Sequence, residues 1–168
     1  MDGVVERHMS NPHQVSDAGP GQIAPALDEV DQAILRELTR DGRLAVRMLA
    51  ERLNISRANA YVRLERLKKS GVLRGFTAVI DPARAGLSTS AYVTLTVRQN
   101  SWRDLTGHLR RIPEIKHMAL VGGEFDVMLL VRTTDNEHLR HVVLERLQSI
   151  PGVLGTRTFL IFDDINNH

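Results

Sequence analysis

Cysteine is absent from this 168-residue chain. Its absence excludes disulfide bonds, cysteine-ligated metal centres and thiol nucleophiles, and it fits a reducing compartment. Aromatic residues make up only 4% of the sequence, so a core must be built from Leu, Val, Ile and Ala. No apolar run approaches the ~18 residues that a membrane-spanning helix needs, and nothing near Met1 resembles a secretion signal. We therefore expect a cytoplasmic protein with no membrane partner.

Positive charge is concentrated in one block of the chain. Residues 1–35 carry one Arg and six acidic residues, whereas residues 36–75 carry eleven Arg or Lys and only four acidic residues. Residues 76–168 carry ten of each sign. A basic block of this kind is the electrostatic footprint of a nucleic-acid-binding module. The alternative is a solvated helical surface with internal salt bridges.

Composition and periodicity divide the chain into four segments. Residues 1–26 are rich in Gly, Pro, Ser, Asn, Gln and His and show no periodicity, so we predict a disordered tail. Translation could equally begin at Met9. Residues 27–80 are predicted to form a winged helix-turn-helix domain, and residues 81–88 a linker marked by Asp81-Pro82 and Gly86. Residues 89–168 are predicted to form a second, separate domain.

Apolar residues at helical spacing predict three helices in the first domain. The first helix begins near Leu27, among acidic residues that favour a helix start, and ends at Asp41-Gly42. The second has its apolar face at Val46, Leu49, Ala50 and Leu53. The third runs from its N-cap Ser56 to about Ser70 and is stopped by Gly71. A turn of about three residues joins the last two helices, as in a helix-turn-helix, and Val72–Ile80 is predicted to be extended, as a wing or a strand.

The second domain alternates strand and helix patterns in the order βαββαβ. The predicted elements are a strand at Thr89–Val97, a helix at Ser101–Arg111 capped by Ser101, strands at Ile115–Val121 and Phe125–Val131 around Gly122-Gly123-Glu124, a helix at Asp135–Ile150, and a strand at Val153–Phe162. This order is ferredoxin-like, an α+β fold with one antiparallel sheet and both helices on one face. No chain remains to cover the other face, so we predict a homodimer.

The third helix carries the predicted DNA interface. Ala60, Leu64 and Leu67 form its inward stripe, so the opposite face and the first turn are available to a major groove. Arg57 and Asn59 are the predicted base readers, since Arg pairs with guanine and Asn with adenine through two hydrogen bonds. Tyr61 offers a ring and a hydroxyl to a thymine methyl or a phosphate. The full predicted interface is Ser56, Arg57, Asn59, Tyr61, Arg63, Arg66 and Arg74, with Lys68 and Lys69 as further phosphate contacts.

Each of these assignments has a structural alternative. Arg63 is about equally well explained by a salt bridge within the domain. Lys68 and Lys69 can compensate the dipole at a helix C-terminus. The three helices together can also serve as a protein-interaction bundle, although the basic excess favours DNA.

Several spaced motifs together resemble the Lrp/AsnC, or feast/famine, family of transcription regulators. They are Leu27–Leu35 (LDEVDQAIL), Leu49–Ser56 (LAERLNIS), Arg63–Ala78 (RLERLKKSGVLRGFTA), Gly123–Asp126 (GEFD, with Phe125 where the family usually has Tyr) and Pro151-Gly152-Val153. The resemblance covers residues 27 to about 165. It implies a winged helix-turn-helix, a ferredoxin-like effector domain, dimers paired through their sheets and often octamers of four dimers. It also implies a small-molecule effector, an amino acid or a related metabolite, bound where dimers meet.

The resemblance also implies effector-binding positions, which carry over onto Leu120, Gly123, Asp126, Asn136, Gln148 and Phe159, with Leu160 and Ile161 as weaker candidates. Gly122-Gly123 would let the backbone approach a ligand, and Asp126 could accept hydrogen bonds from an ammonium group. A tight hairpin turn braced by Asp126 explains the same residues.

The rival function is enzymatic, because sirohaem decarboxylases of haem biosynthesis share this architecture. They would need basic residues and histidines around a tetrapyrrole, and His108, His117, His138 and His141 are available. An exposed polar helix face explains His138 and His141 well, and no third metal ligand has a sensible spacing. With no catalytic constellation visible, we predict no enzyme activity, no metal and no cofactor. A pure assembly or sensor module that has lost DNA binding is a third alternative.

Overall fold

The computed structural model describes residues 26–98 and 102–164, with only the backbone at Trp102 and Arg103. The predicted tail, apart from Ala26, and the predicted cap Ser101 lie outside these residues. The chain divides into two compact units, with the boundary between Thr77 and Ala78.

In the described part of the N-terminal unit there are three helices: α1 (Glu29–Arg40), α2 (Val46–Arg52) and α3 (Arg57–Lys69). Asp28 is the N-cap of α1, where its carboxylate accepts the backbone N–H of Asp31 at 2.8 Å, and the carboxylate of Asp31 accepts the backbone N–H of Asp28 at 3.2 Å. Such a reciprocal pair satisfies two N–H groups that the helix start leaves without partners. The first helix therefore begins where its acidic residues predict.

The connection from α2 to α3 is a tight turn. Asn54 adopts a left-handed conformation with φ of 52°, which Asn tolerates better than most residues. Ser56 then caps α3, its hydroxyl accepting the backbone N–H of Asn59 at 3.1 Å. Gly71, with φ of 73°, follows the helix end, as its sequence position predicts.

The inward stripe of α3 is confirmed, since Ala60, Leu64 and Leu67 are all buried. Leu64 and Leu67 pack with Ile34, Leu38 and Leu49 from the other two helices in one apolar cluster. Val72–Ile80, predicted as a wing or a strand, pairs with no strand among the described residues and is an irregular segment. Burial of one face of α3 leaves its opposite face to solvent.

The C-terminal unit is a four-stranded antiparallel sheet in the order β2-β3-β1-β4. Its elements are β1 (Thr89–Val97), α4 (Trp102–Leu109), β2 (Ile115–Leu120), β3 (Val127–Thr133), α5 (Asn136–His141) and β4 (Val153–Ile161). The predicted ferredoxin-like arrangement is confirmed. Pairing with β1 reaches Thr133, so β3 begins and ends two residues later than Phe125–Val131.

The two faces of the sheet differ in their burial. Val93, Leu95 and Leu129 are buried in a cluster with Leu105 and Leu147 from the helical layer. Side chains alternate along a strand, so Tyr92 lies on the opposite face, where it pairs across the strands with Leu130 and with Phe159. Tyr92 and Phe159 are exposed. The open face therefore exposes an apolar row, which no other element of the described unit covers.

The second helix of this unit changes its winding at Val142. The α-helical turns of α5 are followed by a π-helical segment, Val142–Leu147, whereas the sequence predicted one regular helix. His138 and Arg146, eight residues apart, would be about 80° out of line in a regular helix. The π-helical segment adds one residue to a turn, and this rotates the residues that follow it back by about 100° about the helix axis. That rotation offsets most of the misalignment. The two side chains therefore lie on one side and both reach Glu114, at 3.1 and 2.7 Å.

Candidate DNA interface and effector region

The solvent-facing side of α3 carries a small apolar surface with a cation beside it. Val62 is 69% exposed and Tyr61 58% exposed, and Arg57 and Ala58 are exposed in the first turn. Residues 58 and 62 are one turn apart, so their side chains share one face, opposite the buried stripe. The predicted DNA-reading residues Arg57 and Tyr61 thus lie where a groove could receive them.

Two other predicted DNA contacts, Arg63 and Arg66, are engaged inside the domain. Nη1 of Arg63 lies 2.6 and 2.8 Å from the two carboxylate oxygens of Asp28 and 2.9 Å from Oδ1 of Asp31. Nη2 of Arg66 donates to Oδ2 of Asp31, whose side chain is fully buried. For Arg63 the structure forms the internal salt bridge that was the alternative to DNA contact. These bonds attach α3 to the start of α1.

The same network affects the carboxylate of Asp28. Its hydrogen bond with Arg63, followed by that from the backbone N–H of Asp31, holds the pKa of Asp28 below its ordinary value. Conversely, these carboxylates raise the pKa of Arg63. The pair formed by Asp28 and Arg63 is therefore ionised across the neutral pH range.

Asn59, the second predicted base reader, is held by Arg63. Nε of Arg63 donates to Oδ1 of Asn59 at 2.9 Å. Because a guanidinium can only donate, the amide atom facing it must be the oxygen. The amide nitrogen of Asn59 is consequently the group left for a ligand.

The remaining cations of the N-terminal unit divide into paired and unpaired groups. Lys68 lies 3.1 Å from Glu65, and Arg52 lies 2.7 Å from Glu37. Arg57, Lys69 and Arg74 have no acidic partner within the described part of the chain. Unpaired cations keep their full charge for phosphates. Lys69 lies on the outward face with Ala58 and Val62.

The Gly122–Asp126 connection has the geometry of a braced turn. Gly123 has φ of 138°, a value that favours glycine. Oδ2 of Asp126 accepts the backbone N–H of Val97 at 2.8 Å, and its backbone N–H donates to Leu95 at 3.0 Å. Asp126 therefore fastens the turn to the end of β1, and among the described residues only one of its carboxylate oxygens accepts a hydrogen bond.

The six predicted effector residues do not meet in one pocket of a single chain. Asn136 lies at the start of β1, where its side chain is 3.3 Å from Thr89, whereas Asp126 lies at the other end, beside Val97. Eight residues of strand separate these ends by about 27 Å. Gln148 binds Thr156 at 2.9 Å on the helical side, while Phe159 lies on the open face. Leu120 and Phe159 are exposed.

Two surface clefts lie among these residues. A cleft of about 320 Å³ adjoins the Gly122–Asp126 turn and is lined by Thr94, Thr96, Glu124, Phe125, Leu154, Gly155, Thr156 and Arg157. Glu124 and Arg157 form a 2.7 Å ion pair on its rim. Neither residue is a predicted effector contact, because β4 approaches the turn only in the folded sheet. A more apolar cleft of about 400 Å³ lies between the second helical segment and β4, lined by Asn136, Leu139, Arg140, Val143, Leu144, Thr158 and Leu160.

The histidines considered for a tetrapyrrole site are dispersed. His108 lies beside Arg111, His138 beside Glu114, and His141 beside Glu145 at 3.2 Å. Among the described residues, no three His, Asp or Glu side chains are grouped to hold a metal ion. Within the same residues, no helix combines the length and apolarity needed to cross a membrane.

Comparison with known families gives matches in both units. A family model described as winged helix-turn-helix DNA-binding matches residues 27–74. A second, described as the Lrp/AsnC ligand binding domain, matches residues 90–168. Together the matched segments take in both units of the fold.

Similar proteins of known role are transcriptional regulators. The regulator AldR of Mycolicibacterium smegmatis is 35% identical over 142 residues, covering 83% of this chain and 83% of that protein. The proline dehydrogenase transcriptional activator of Rhizobium radiobacter is 31% identical over 160 residues, covering 94% of this chain and 97% of that protein. These names do not favour the decarboxylase alternative.

Solved structures give the same result. A transcriptional regulator of Neisseria meningitidis, determined as a complex with L-Met, matches with a TM-score of 0.77 and 29% identity over 84% of this chain and 93% of its own. The leucine response regulatory protein LrpA of Mycobacterium tuberculosis matches with a TM-score of 0.75 and 32% identity, over 83% and 95% of the two chains.

Proposed function

This chain belongs to the Lrp/AsnC family of DNA-binding transcriptional regulators, and we propose that it acts as a homodimer that recognises specific operators and responds to an amino acid or a related metabolite. The observation that carries the first half of this proposal is the solvent-facing side of α3. It presents the unpaired Arg57 and Lys69 on a helix whose other side is buried. Arg57 is proposed as a base reader and Lys69 and Arg74 as phosphate contacts.

Arg63 and Arg66 are proposed to position α3 and to add positive potential. Their acidic partners, Asp28 and Asp31, lie at the start of α1, so the network sets the orientation of α3 relative to α1. Ser56 acts beside them as the cap that starts the helix. The salt dependence of binding tests the DNA-binding proposal: log K should fall linearly with log salt concentration, by ~0.9 for each phosphate neutralised. Affinity that does not depend on salt would contradict it.

The open face of the sheet supports the proposed homodimer. Tyr92, Leu130 and Phe159 form an apolar row across three strands, and such a row is stabilised when a second surface excludes water from it. A second copy of the same face supplies that cover and brings two α3 helices to one duplex. Sedimentation velocity of the full chain should give a dimer or a multiple of it, and Tyr92→Lys with Phe159→Lys should give monomers. A monomeric wild type would refute the proposal.

The effector proposal depends on the division of the predicted residues between two ends of β1. A ligand as small as an amino acid cannot touch both ends of a strand about 27 Å long. A site that uses Asp126 and Asn136 together must therefore take them from different chains. We propose that Leu120, Gly123, Asp126, Asn136, Gln148 and Phe159 line such shared sites, consistent with the L-Met bound by the Neisseria relative.

The rim of the cleft beside the turn adds two residues to this proposal. Glu124 and Arg157 present opposite charges side by side, which complements the ammonium and carboxylate groups of a zwitterion. A thermal-shift screen against the twenty amino acids should reveal a ligand that raises the melting temperature. Arg157→Ala should abolish that shift, and Arg84→Ala, which removes an exposed arginine of the linker region, should preserve it. A purified protein that carries porphyrin absorbance would instead favour the decarboxylase alternative.

A further inference from the structure

The outward side of α3 contains an apolar patch that the fold does not use. Val62 is 69% exposed and is not part of the N-terminal apolar cluster. Packing within the N-terminal cluster therefore does not explain the presence of Val62. Helix propensity does not explain it either, because a β-branched residue is slightly unfavourable in a helix. Ala58 precedes it by one turn on the same face, and its small side chain leaves Val62 accessible. The result is a methyl-bearing surface at the centre of the proposed reading face.

Most polar groups around this patch are hydrogen-bond donors, and the hydroxyl of the exposed Tyr61 can donate or accept. Arg57 can only donate. Oδ1 of Asn59 is bonded to Nε of Arg63, and Arg63 is itself held by Asp28 and Asp31. The outward group of Asn59 is therefore its NH₂. Two-pronged pairing with adenine needs the amide oxygen as an acceptor for the adenine amino group, and here that oxygen is bonded to Arg63.

An acidic residue on α3 does not change this pattern. Glu65 lies in the C-terminal half of the helix and its carboxylate lies 3.1 Å from Nζ of Lys68. In a helix-turn-helix the N-terminal part of the second helix meets the base edges, and Glu65 is two turns beyond Arg57. The first two turns thus combine donors and methyl groups with the Tyr61 hydroxyl, which can also donate to a keto oxygen.

We propose that α3 reads the keto bases, guanine and thymine, in the major groove. Guanine presents two acceptors there, and thymine presents one acceptor and the C5 methyl group, whereas adenine and cytosine each present an amino donor. In this arrangement Arg57 and the NH₂ of Asn59 donate to guanine or thymine oxygens, and Ala58 and Val62 contact a thymine methyl. The inference rests on the proposed function and adds the chemistry of the base edge that is recognised.

The thymine contact is tested with deoxyuridine, which lacks only the C5 methyl. The full chain is first used to select duplexes from a randomised library, and each thymine of the selected site is then replaced in turn. At one or two positions per half-site, deoxyuridine should weaken wild-type binding about three- to fivefold, the effect of removing one buried methyl group. Val62→Ala should abolish that loss. Lys69→Ala, on the same face, should weaken binding to every duplex, but its binding should still fall about three- to fivefold when deoxyuridine replaces the contacted thymine.

The Asn59 contact is tested with Asn59→Asp. The variant retains an oxygen for Arg63, so its melting temperature should match that of the wild type, but its outward atom becomes an acceptor. Binding to the selected site should fall about tenfold more than binding to a scrambled duplex, which corrects for the added negative charge. A repeated selection should then favour an amino-bearing base, adenine or cytosine, at one position.

The outcomes separate this inference from the proposed function. If no duplex is enriched, DNA recognition itself is refuted. If a site is enriched but deoxyuridine has no effect, or Val62→Ala retains every loss, the chain recognises DNA and the thymine contact is wrong. An Asn59→Asp variant with unchanged preference would refute the donor assignment.

Discussion

Replacing Asp31 by Asn should destabilise the helix-turn-helix far more than loss of an ordinary surface charge. Asp31 is fully buried and bonds both Arg63 and Arg66. Breaking a buried ion pair by removing one partner costs about 3–5 kcal/mol. Here the cost is reduced, because the side chain of Arg66 is 48% exposed and regains water, and Arg63 retains Asp28. We expect a loss of about 2 kcal/mol in the free energy of unfolding of this unit.

Such a loss should lower the melting temperature of a small domain by about 10 °C. Because two units can unfold separately, urea unfolding should be combined with hydrogen exchange, which assigns the loss to peptides of α1 and α3. Glu65→Gln is the matched control: it removes an ion pair in which both partners are about half exposed, worth well under 1 kcal/mol. If Asp31→Asn destabilises the chain no more than Glu65→Gln, the buried network does not hold α3 on α1.

Three further predictions concern DNA binding, acid stability and the cap of α3. Arg57→Ala should weaken binding to specific sites more than to random DNA, whereas Lys69→Ala should weaken both alike; equal losses for Arg57→Ala in a binding assay would remove it as a base reader. Burial alone would raise the pKa of Glu114, but hydrogen bonds from its own backbone N–H and from His138, with the charge of Arg146, lower this pKa overall. A carboxyl group with a lowered pKa stabilises the fold at pH values above its unfolded pKa, near 4.5. That stabilisation is lost as the pH falls through the folded pKa. The stability difference between wild type and Glu114→Gln should therefore shrink below about pH 4.5, and a constant difference down to pH 2 in urea titrations would contradict the assignment. Ser56→Ala should destabilise α3 by about 1 kcal/mol and Ser56→Gly by less, measured by hydrogen exchange in α3. A Ser56→Ala variant with unchanged exchange would refute the side-chain cap.

Much of the fold was predictable because it depends on local patterns. The spacing of Ala60, Leu64 and Leu67 was enough to orient α3, since a helix repeats every 3.6 residues. Ser56 and Gly71 mark its ends through bonds and backbone angles that involve only neighbouring residues. The strand Thr89–Val97 was placed correctly by its β-branched composition, and the order of strands and helices predicted the ferredoxin-like sheet.

The candidate sites were predicted less completely because they depend on distant residues. Arg63 and Arg66 were assigned to DNA from their charge, but their partner Asp31 lies more than thirty positions away and becomes visible only when α1 packs on α3. The orientation of the Asn59 amide follows from that same contact. Glu124 and Arg157 were missed for a related reason, since the fold brings together residues 33 positions apart.

Sequence alone determined most of the elements, their buried faces and the family, because hydrophobic periodicity, caps and motifs act over one or two turns of chain. Tertiary structure alone decided which cations have no acidic partner among the described residues, which atom of Asn59 faces outward, and that the predicted effector residues lie at opposite ends of a strand. The physical reason is that ion pairs and hydrogen bonds form between whichever groups the packing brings within about 3 Å. Spacing along the chain does not specify those distances.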